Sequence, residues 1–197
     1  MEDKNIEIYV GNKLQNNYNG HDLEHAQRVR NNTQMIINEL TEEVNIEVCL
    51  IAALVHDLLD KKVMVNVLEE EQELIEFLKK NNVTKANIYE IIKICKTISY
   101  SQNKLVASLE GKIVQDADRL DALGAIGIAR CIMYATTIHN PLYQKNDDSN
   151  NSVIGHFHHK LYKLPELMNT KIAKVIAKQR VGYLRDFERQ LLNELIT

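Results

Sequence analysis

His56 and Asp57 are adjacent inside the apolar run IAALVHDLLD. A buried histidine–aspartate pair costs free energy unless each group has a partner, so such a run should not carry one idly. His25 stands thirty-one residues upstream in HDLEHAQRV, and Asp118 about sixty residues downstream in VQDADRLDALGAIGIAR. Imidazole and carboxylate brought together from three helices make a divalent-metal site with positions left open for water and substrate. This N/O donor set suits Mn²⁺ or Fe²⁺, with Mg²⁺ or Ni²⁺ as further candidates, better than a structural tetrahedral zinc. For His56 taken alone, the competing reading is a core histidine satisfied by a nearby carboxylate.

Other positions offer related chemistry, and spacing leaves them open. His21 and His25 are four residues apart on one helix face, so either could be the first ligand. Asp116, Asp118 and Asp121 pose the same choice. Asp60 follows His56 by four residues and Asp57 by three, which on a continuing helix puts it on the metal face as a general base or proton shuttle. Its alternative is a helix-end carboxylate paired with Lys61 or Lys62. Arg28, one turn from His25, has the planar fork that grips phosphate, or else pairs with Glu24 at the surface. His156 and Lys160 form another i,i+4 pair beside an apolar stripe of Phe157, Leu161 and Leu164. That pair suits phosphate oxygens in a cleft; a solvated face is the other reading, above all for His158 and His159.

Helices must position these groups. Only two prolines and seven glycines interrupt the chain, which favours long helices and argues against a sandwich or barrel. Val29, Thr33, Ile36, Ile37 and Leu40 make 22–40 amphipathic. Residues 46–59 are apolar almost all round, as in a central helix packed on several sides. Leu74, Ile75, Phe77 and Leu78 anchor a helix behind the acidic start Glu69, Glu70 and Glu71. Residues 84–99 and 114–137 supply two more, with Asp116 favouring the start of the second; Asn169 or Thr170 caps a last helix reaching Leu195. Gly124 and Gly127 read as small mid-helix residues that permit close helix contact or substrate approach. Asn140–Ser152 reads as an exposed loop. The expectation is one all-α domain over 1–197, with a metal-site core at about 20–135 and helices at about 153–195 packing on it.

Composition narrows the function classes. With 24 Lys+Arg against 27 Asp+Glu, the net charge of −3 lacks the basic excess of a general nucleic-acid binder. Met1 to Asn19 is polar and has no secretory core, and no run approaches the ~18 apolar residues of a membrane span. Cys49, Cys95 and Cys131 are odd in number and widely spaced, so they read as buried thiols in a reducing compartment. A cytoplasmic protein with no membrane partner and no stable nucleic-acid complex is expected.

His25 followed by Arg28-Val29, then His56-Asp57, then Ala117-Asp118-Arg119-Leu120 resembles the H…HD…D signature of the HD-domain metal-dependent phosphohydrolase superfamily. More narrowly, GHDLEHAQRV, HDLLDKK, QDADRLDALGAIGIAR and HFHHKLYKLPELMNT resemble the small bacterial single-domain HD hydrolases of the YedJ/YpgQ type, over roughly residues 20–180. The dipeptide by itself is weak; the four segments in order are specific. The resemblance implies a compact all-helical HD bundle and a metal held by His25, His56, Asp57 and Asp118. It also implies hydrolysis of phosphate esters or anhydrides, with nucleotides as the substrate class. Its register selects His25 over His21, which becomes an outer contact, a substrate contact or a solvated histidine. It likewise selects Asp118, leaving Asp121 one turn on to steer water. An acidic residue stands at the position of Asp60 in related HD hydrolases that release pyrophosphate from guanosine nucleotides.

The expected reaction is attack of a metal-activated water on phosphorus. Asp60 or Asp121 would handle the proton, while Arg28, Lys160 and nearby cations absorb developing charge. From another class comes a catalytically quiet HD module that binds a nucleotide or partner as a sensor, which has no need of all four ligands. A non-haem iron oxygenase would need further ligands for a second iron.

Overall fold

A computed structural model describes residues 3–15, 20–61, 63–98, 106–145 and 150–196. Among them are nine α-helices, two 3₁₀ segments and no strand, so the protein is all-α as expected. The chain divides into two units, Met1–Asp118 and Arg119–Thr197.

The first unit holds α1 (Asp3–Leu14), α2 (Leu23–Asn38), α3 (Ile46–Val55), a 3₁₀ turn (His56–Leu59), α4 (Val67–Lys80), α5 (Lys85–Cys95) and α6 (Leu109–Asp121) as far as Asp118. Side-chain caps fix where four of these begin. The oxygens of Asp22, Asn45, Asn66 and Thr84 accept from the backbone N–H three residues on, satisfying one orphan donor each. α3 packs against α1, α2 and α5, which is why its sequence is apolar on every side.

α1 corrects the reading of the N-terminal segment as merely polar. Ile6, Val10 and Leu14 recur every four residues and are buried, and Tyr9 stacks on Phe77 of α4 with ring centroids 4.0 Å apart. Each buried aliphatic side chain of this kind is worth about 1.5–3 kcal/mol, enough to dock a short helix of low intrinsic amphipathicity. Residues 16–19 lie outside the described residues.

The second unit holds α7 (Gly124–Thr137), α8 (Val153–His159), a 3₁₀ segment (Leu161–Leu167) and α9 (Lys171–Ile196). α9 packs on α7 and on the 3₁₀ segment, around the buried Phe157, Leu161, Leu164 and Leu184. Ser152 and Thr170 cap α8 and α9.

Residues 114–137 are two helices, not one. α6 starts early, at Leu109, and ends at Asp121; Leu123 is extended, and Gly124 opens α7 at φ +73°. Gly124 is thus a boundary residue in the left-handed region, where an L side chain is strained. Gly127 allows a close approach of a different kind, since a methyl there would run into the Ala122 carbonyl in the turn just before α7. Asp116 is consequently buried within α6 and does not mark its start. Of the expected loop, residues 146–149 lie outside the described residues; 141–145 are exposed.

Candidate metal centre

Three element ends in the first unit bring the predicted ligands together. Asp22 Oδ1 accepts from the His25 backbone N–H at 2.7 Å, fixing the first turn of α2 and with it a fully buried His25. α3 gives way at Val55 to the tighter 3₁₀ turn that carries His56 and Asp57, both 5% exposed. The last turns of α6 carry Asp118, whose side chain is 29% exposed.

His56 Nδ1 donates to the Ala53 carbonyl at 2.9 Å. That carbonyl belongs to the last turn of α3, where intrahelical donors run out, so one contact satisfies the helix end and fixes the tautomer. The Nε2 lone pair is left facing the carboxylates. His56 Nε2 lies 3.4 Å from Asp57 Oδ1 and 3.8 Å from Asp118 Oδ1. His25 Nε2 lies 3.4 Å from Asp57 Oδ2 and 3.5 Å from Asp118 Oδ1.

These separations exceed ordinary N–H···O lengths. Donor atoms ~2.1 Å from a shared ion sit ~3 Å apart when adjacent and ~4.2 Å apart when opposite, and all four distances fall in that interval. The donor set therefore fits a divalent cation. Two overlapping groups could hold one, His25–His56–Asp118 and His21–His25–Asp57, each with its donor atoms within 4.8 Å. Burial pushes the Asp57 carboxyl up. The electrostatic pull of the His56 ring, the hydrogen bond from His21 and the neighbouring His25 outweigh this and hold it well below the usual carboxylate range.

His21 precedes the α2 cap and is not on the helix itself. Its Nδ1 still reaches Asp57 Oδ2 at 2.9 Å, with the side chain about one-third exposed. Arg28, on α2, is half-buried.

The helical-face argument for Asp60 fails. The 3₁₀ turn ends at Leu59, Asp60 is extended (φ −91°, ψ 126°), and its carbonyl turns the chain by accepting from Val63 and Met64. Its alternative partner Lys62 lies outside the described residues.

The remaining candidates belong to the second unit. Asp121, 2% exposed, is paired with Arg130 Nη1 at 2.8 Å. His156 Nδ1 is 2.6 Å from Asn150 Oδ1; burial, then the charges of Lys160 and His159, push its pKa down to about 4. Lys160 forms the C-cap of α8. His158 pairs with Glu188 at 2.6 Å on an exposed face. The three cysteines are free, Cys49 and Cys95 buried and Cys131 partly so. Burial raises their thiols to about 12, 12 and 11, which leaves them unreactive.

Sequence reasoning missed Asn32. Its Nδ2 donates to the Ala117 carbonyl at 3.2 Å, across 85 positions of sequence, and the residue is 8% exposed. A side chain reaching a distant backbone carbonyl leaves no motif.

Residues 22–123 match the family model of the HD domain. The chain belongs to the HD-domain family. YpgQ of Bacillus subtilis is 37% identical to this HD-domain chain over 194 residues, covering 96% of this chain and 92% of YpgQ. The crystal structure of YpgQ in complex with ADP is similar at a TM-score of 0.80 and 33% identity, over 97% and 96% of the two chains. The structure of an HD-superfamily hydrolase from Bacillus thuringiensis gives a TM-score of 0.79 at 30% identity, over 98% and 96%. The family match and the last of these structures support a hydrolase class for the HD-domain chain. Among the described residues, no helix is long and apolar enough to cross a membrane.

Proposed function

We propose that this HD-domain chain is a divalent-metal-dependent phosphohydrolase cleaving phosphate ester or anhydride bonds of nucleotides. The convergence of the His25, His56, Asp57 and Asp118 donor atoms carries the reading. The similarity to YpgQ, crystallised with ADP, supports a nucleotide as the ligand class. Mn²⁺ or Fe²⁺ suits the mixed imidazole and carboxylate donors best, with Mg²⁺ or Ni²⁺ next. The chemistry such an ion supplies is Lewis acidity, toward a phosphoryl oxygen and toward water.

The chain's own groups do the rest. His25, His56, Asp57 and Asp118 hold the ion, and the Ala53 carbonyl keeps the His56 proton on Nδ1. His21 holds the Asp57 carboxylate in orientation. Asp60 would take the proton of the attacking water, a role that rests on the resemblance to HD hydrolases with an acidic residue at this position and not on a shared helix face. Asp121 is the weaker candidate because its carboxylate is already committed to the Arg130 guanidinium. Arg28 binds phosphate oxygens, and His156 and Lys160 take the same role on the strength of their sequence pattern. A neutral His156 would offer a hydrogen bond and no charge. The setting is cytoplasmic, with small phosphorylated molecules as partners and neither membrane nor stable nucleic-acid complexes.

A panel of nucleotides incubated with Mn²⁺ tests the proposal, with product identification separating phosphate from pyrophosphate release. Release that disappears on chelation and in His56→Ala is the expected result. Nucleotide binding without turnover of any panel member would replace it with the quiet sensor module.

A further inference from the structure

We infer that Asn32 is a positioning residue for Asp118, acting through the backbone of α6. The inference rests on the metal-site reading above and deepens it by naming what registers the most exposed of the four ligands. His25 is placed by the capped first turn of its own helix, His56 by a carbonyl three residues back, and Asp57 by His21. Asp118 arrives from far along the chain, and its side chain remains 29% exposed.

Asn32 supplies a directional link at that level. It follows His25 on α2 by seven residues, two helical turns, and so shares its face. Its Nδ2 donates to the carbonyl of Ala117, the residue immediately before Asp118. The helix that carries the first ligand therefore also grips the peptide next to the fourth. A helical carbonyl already accepts from the N–H four residues on, and its second lone pair is available to Asn32. Apolar contacts between helices allow small slides, whereas a hydrogen bond to one chosen carbonyl fixes register. A shift of about 0.5 Å at a ligand is enough to loosen a site of this kind. Filling space does not explain the residue: a buried amide costs free energy unless bonded, and leucine would fill nearly the same volume without that cost.

The test is Mn²⁺ titration calorimetry on the full chain. It compares wild type, Asn32→Leu, Asp118→Asn, both changes together, and His56→Ala, with a metal-free melting curve for each. Asn32→Leu should melt near the wild-type temperature and lose roughly 10-fold or more in Mn²⁺ affinity. In the Asp118→Asn background the same change should cost less than about threefold, because the residue it acts through has gone. A purely structural role would lower the melting temperature and leave affinity alone. Asn32→Ala carries the same comparison if the leucine variant does not fold. Affinity within about twofold of wild type, or an equal loss in both backgrounds, overturns the inference. If His56→Ala binds Mn²⁺ as tightly as wild type, the metal-site reading itself fails and takes this inference with it. Loss in His56→Ala with none in Asn32→Leu removes the inference alone.

Discussion

His21 Nδ1 and Asp57 Oδ2 are 2.9 Å apart, which joins the residue before the α2 cap to the carboxylate of the HD dipeptide. The imidazole is the donor, so the bond orients an oxygen that also faces His25. Removing such an outer partner typically weakens metal affinity by about 10–100-fold without abolishing it. His21→Ala is therefore expected to retain Mn²⁺ at reduced affinity, and His25→Ala to lose it. Anomalous scattering that puts the ion on His21 and not on His25 would reverse this assignment.

Asp60→Asn keeps the size of the side chain and removes its basicity. Mn²⁺ binding and substrate affinity should stay close to wild type while turnover falls by about 10²-fold or more. Steady-state kinetics on metal-loaded protein decides it. A carboxylate that merely paired with a surface lysine would be worth about 0–1 kcal/mol in stability and almost nothing in rate, so near-normal turnover would transfer the role to Asp121.

His156 gives the second unit a pH dependence whose direction follows from its environment. Its pKa falls from 6.5 to about 4 on folding, through burial first and then the nearby Lys160 and His159. Between those values the unfolded chain binds the extra proton. The contribution is therefore fully present above about pH 6.5 and is lost as pH falls toward about 4. Urea midpoints measured from pH 7 to pH 4.5 should drop more steeply for wild type than for His156→Gln. Parallel curves would show that the ring is not held neutral.

Gly124→Ala should destabilise the protein by about 1–2 kcal/mol, the cost of placing an L residue in the left-handed region. The φ of +73° sets that strain, and the new methyl would also meet the Arg180 side chain at 3.3–3.5 Å. Equilibrium urea unfolding measures it, with Ala125→Gly as the helix-propensity comparison. An unchanged midpoint would mean that the helix boundary relaxes.

The amphipathic stretch of α2 and the all-round apolarity of α3 could be read from the sequence because each follows from what the helix must bury. Breaks were harder. A turn between Asp121 and Gly124 depends on the backbone of two residues, Leu123 and Gly124, and the surrounding small residues fit an uninterrupted helix equally well. Counting four residues from His56 puts Asp60 on the metal face, a count that fails once the winding tightens and stops at Leu59. α1 has its apolar residues diluted by polar neighbours, and it docks on α2, α3 and Phe77, all later in the chain. For the site, four residues of two types in a familiar order point to the donors. What holds them, Asn32 on Ala117 and His21 on Asp57, is tertiary and leaves no spacing to count.

The tether of His56 has a consequence for mutational robustness. Its acceptor is the carbonyl of Ala53, which every amino acid supplies, so no replacement of the side chain at 53 deletes it. The His21 and Asn32 links depend on side chains and can each be lost in one codon change. A saturation library across the first unit should therefore expose the metal centre through its donors, His21 and Asn32. The orientation of His56 should yield only to changes that alter the path of the chain, such as proline near the end of α3 or a residue inserted or deleted before position 56.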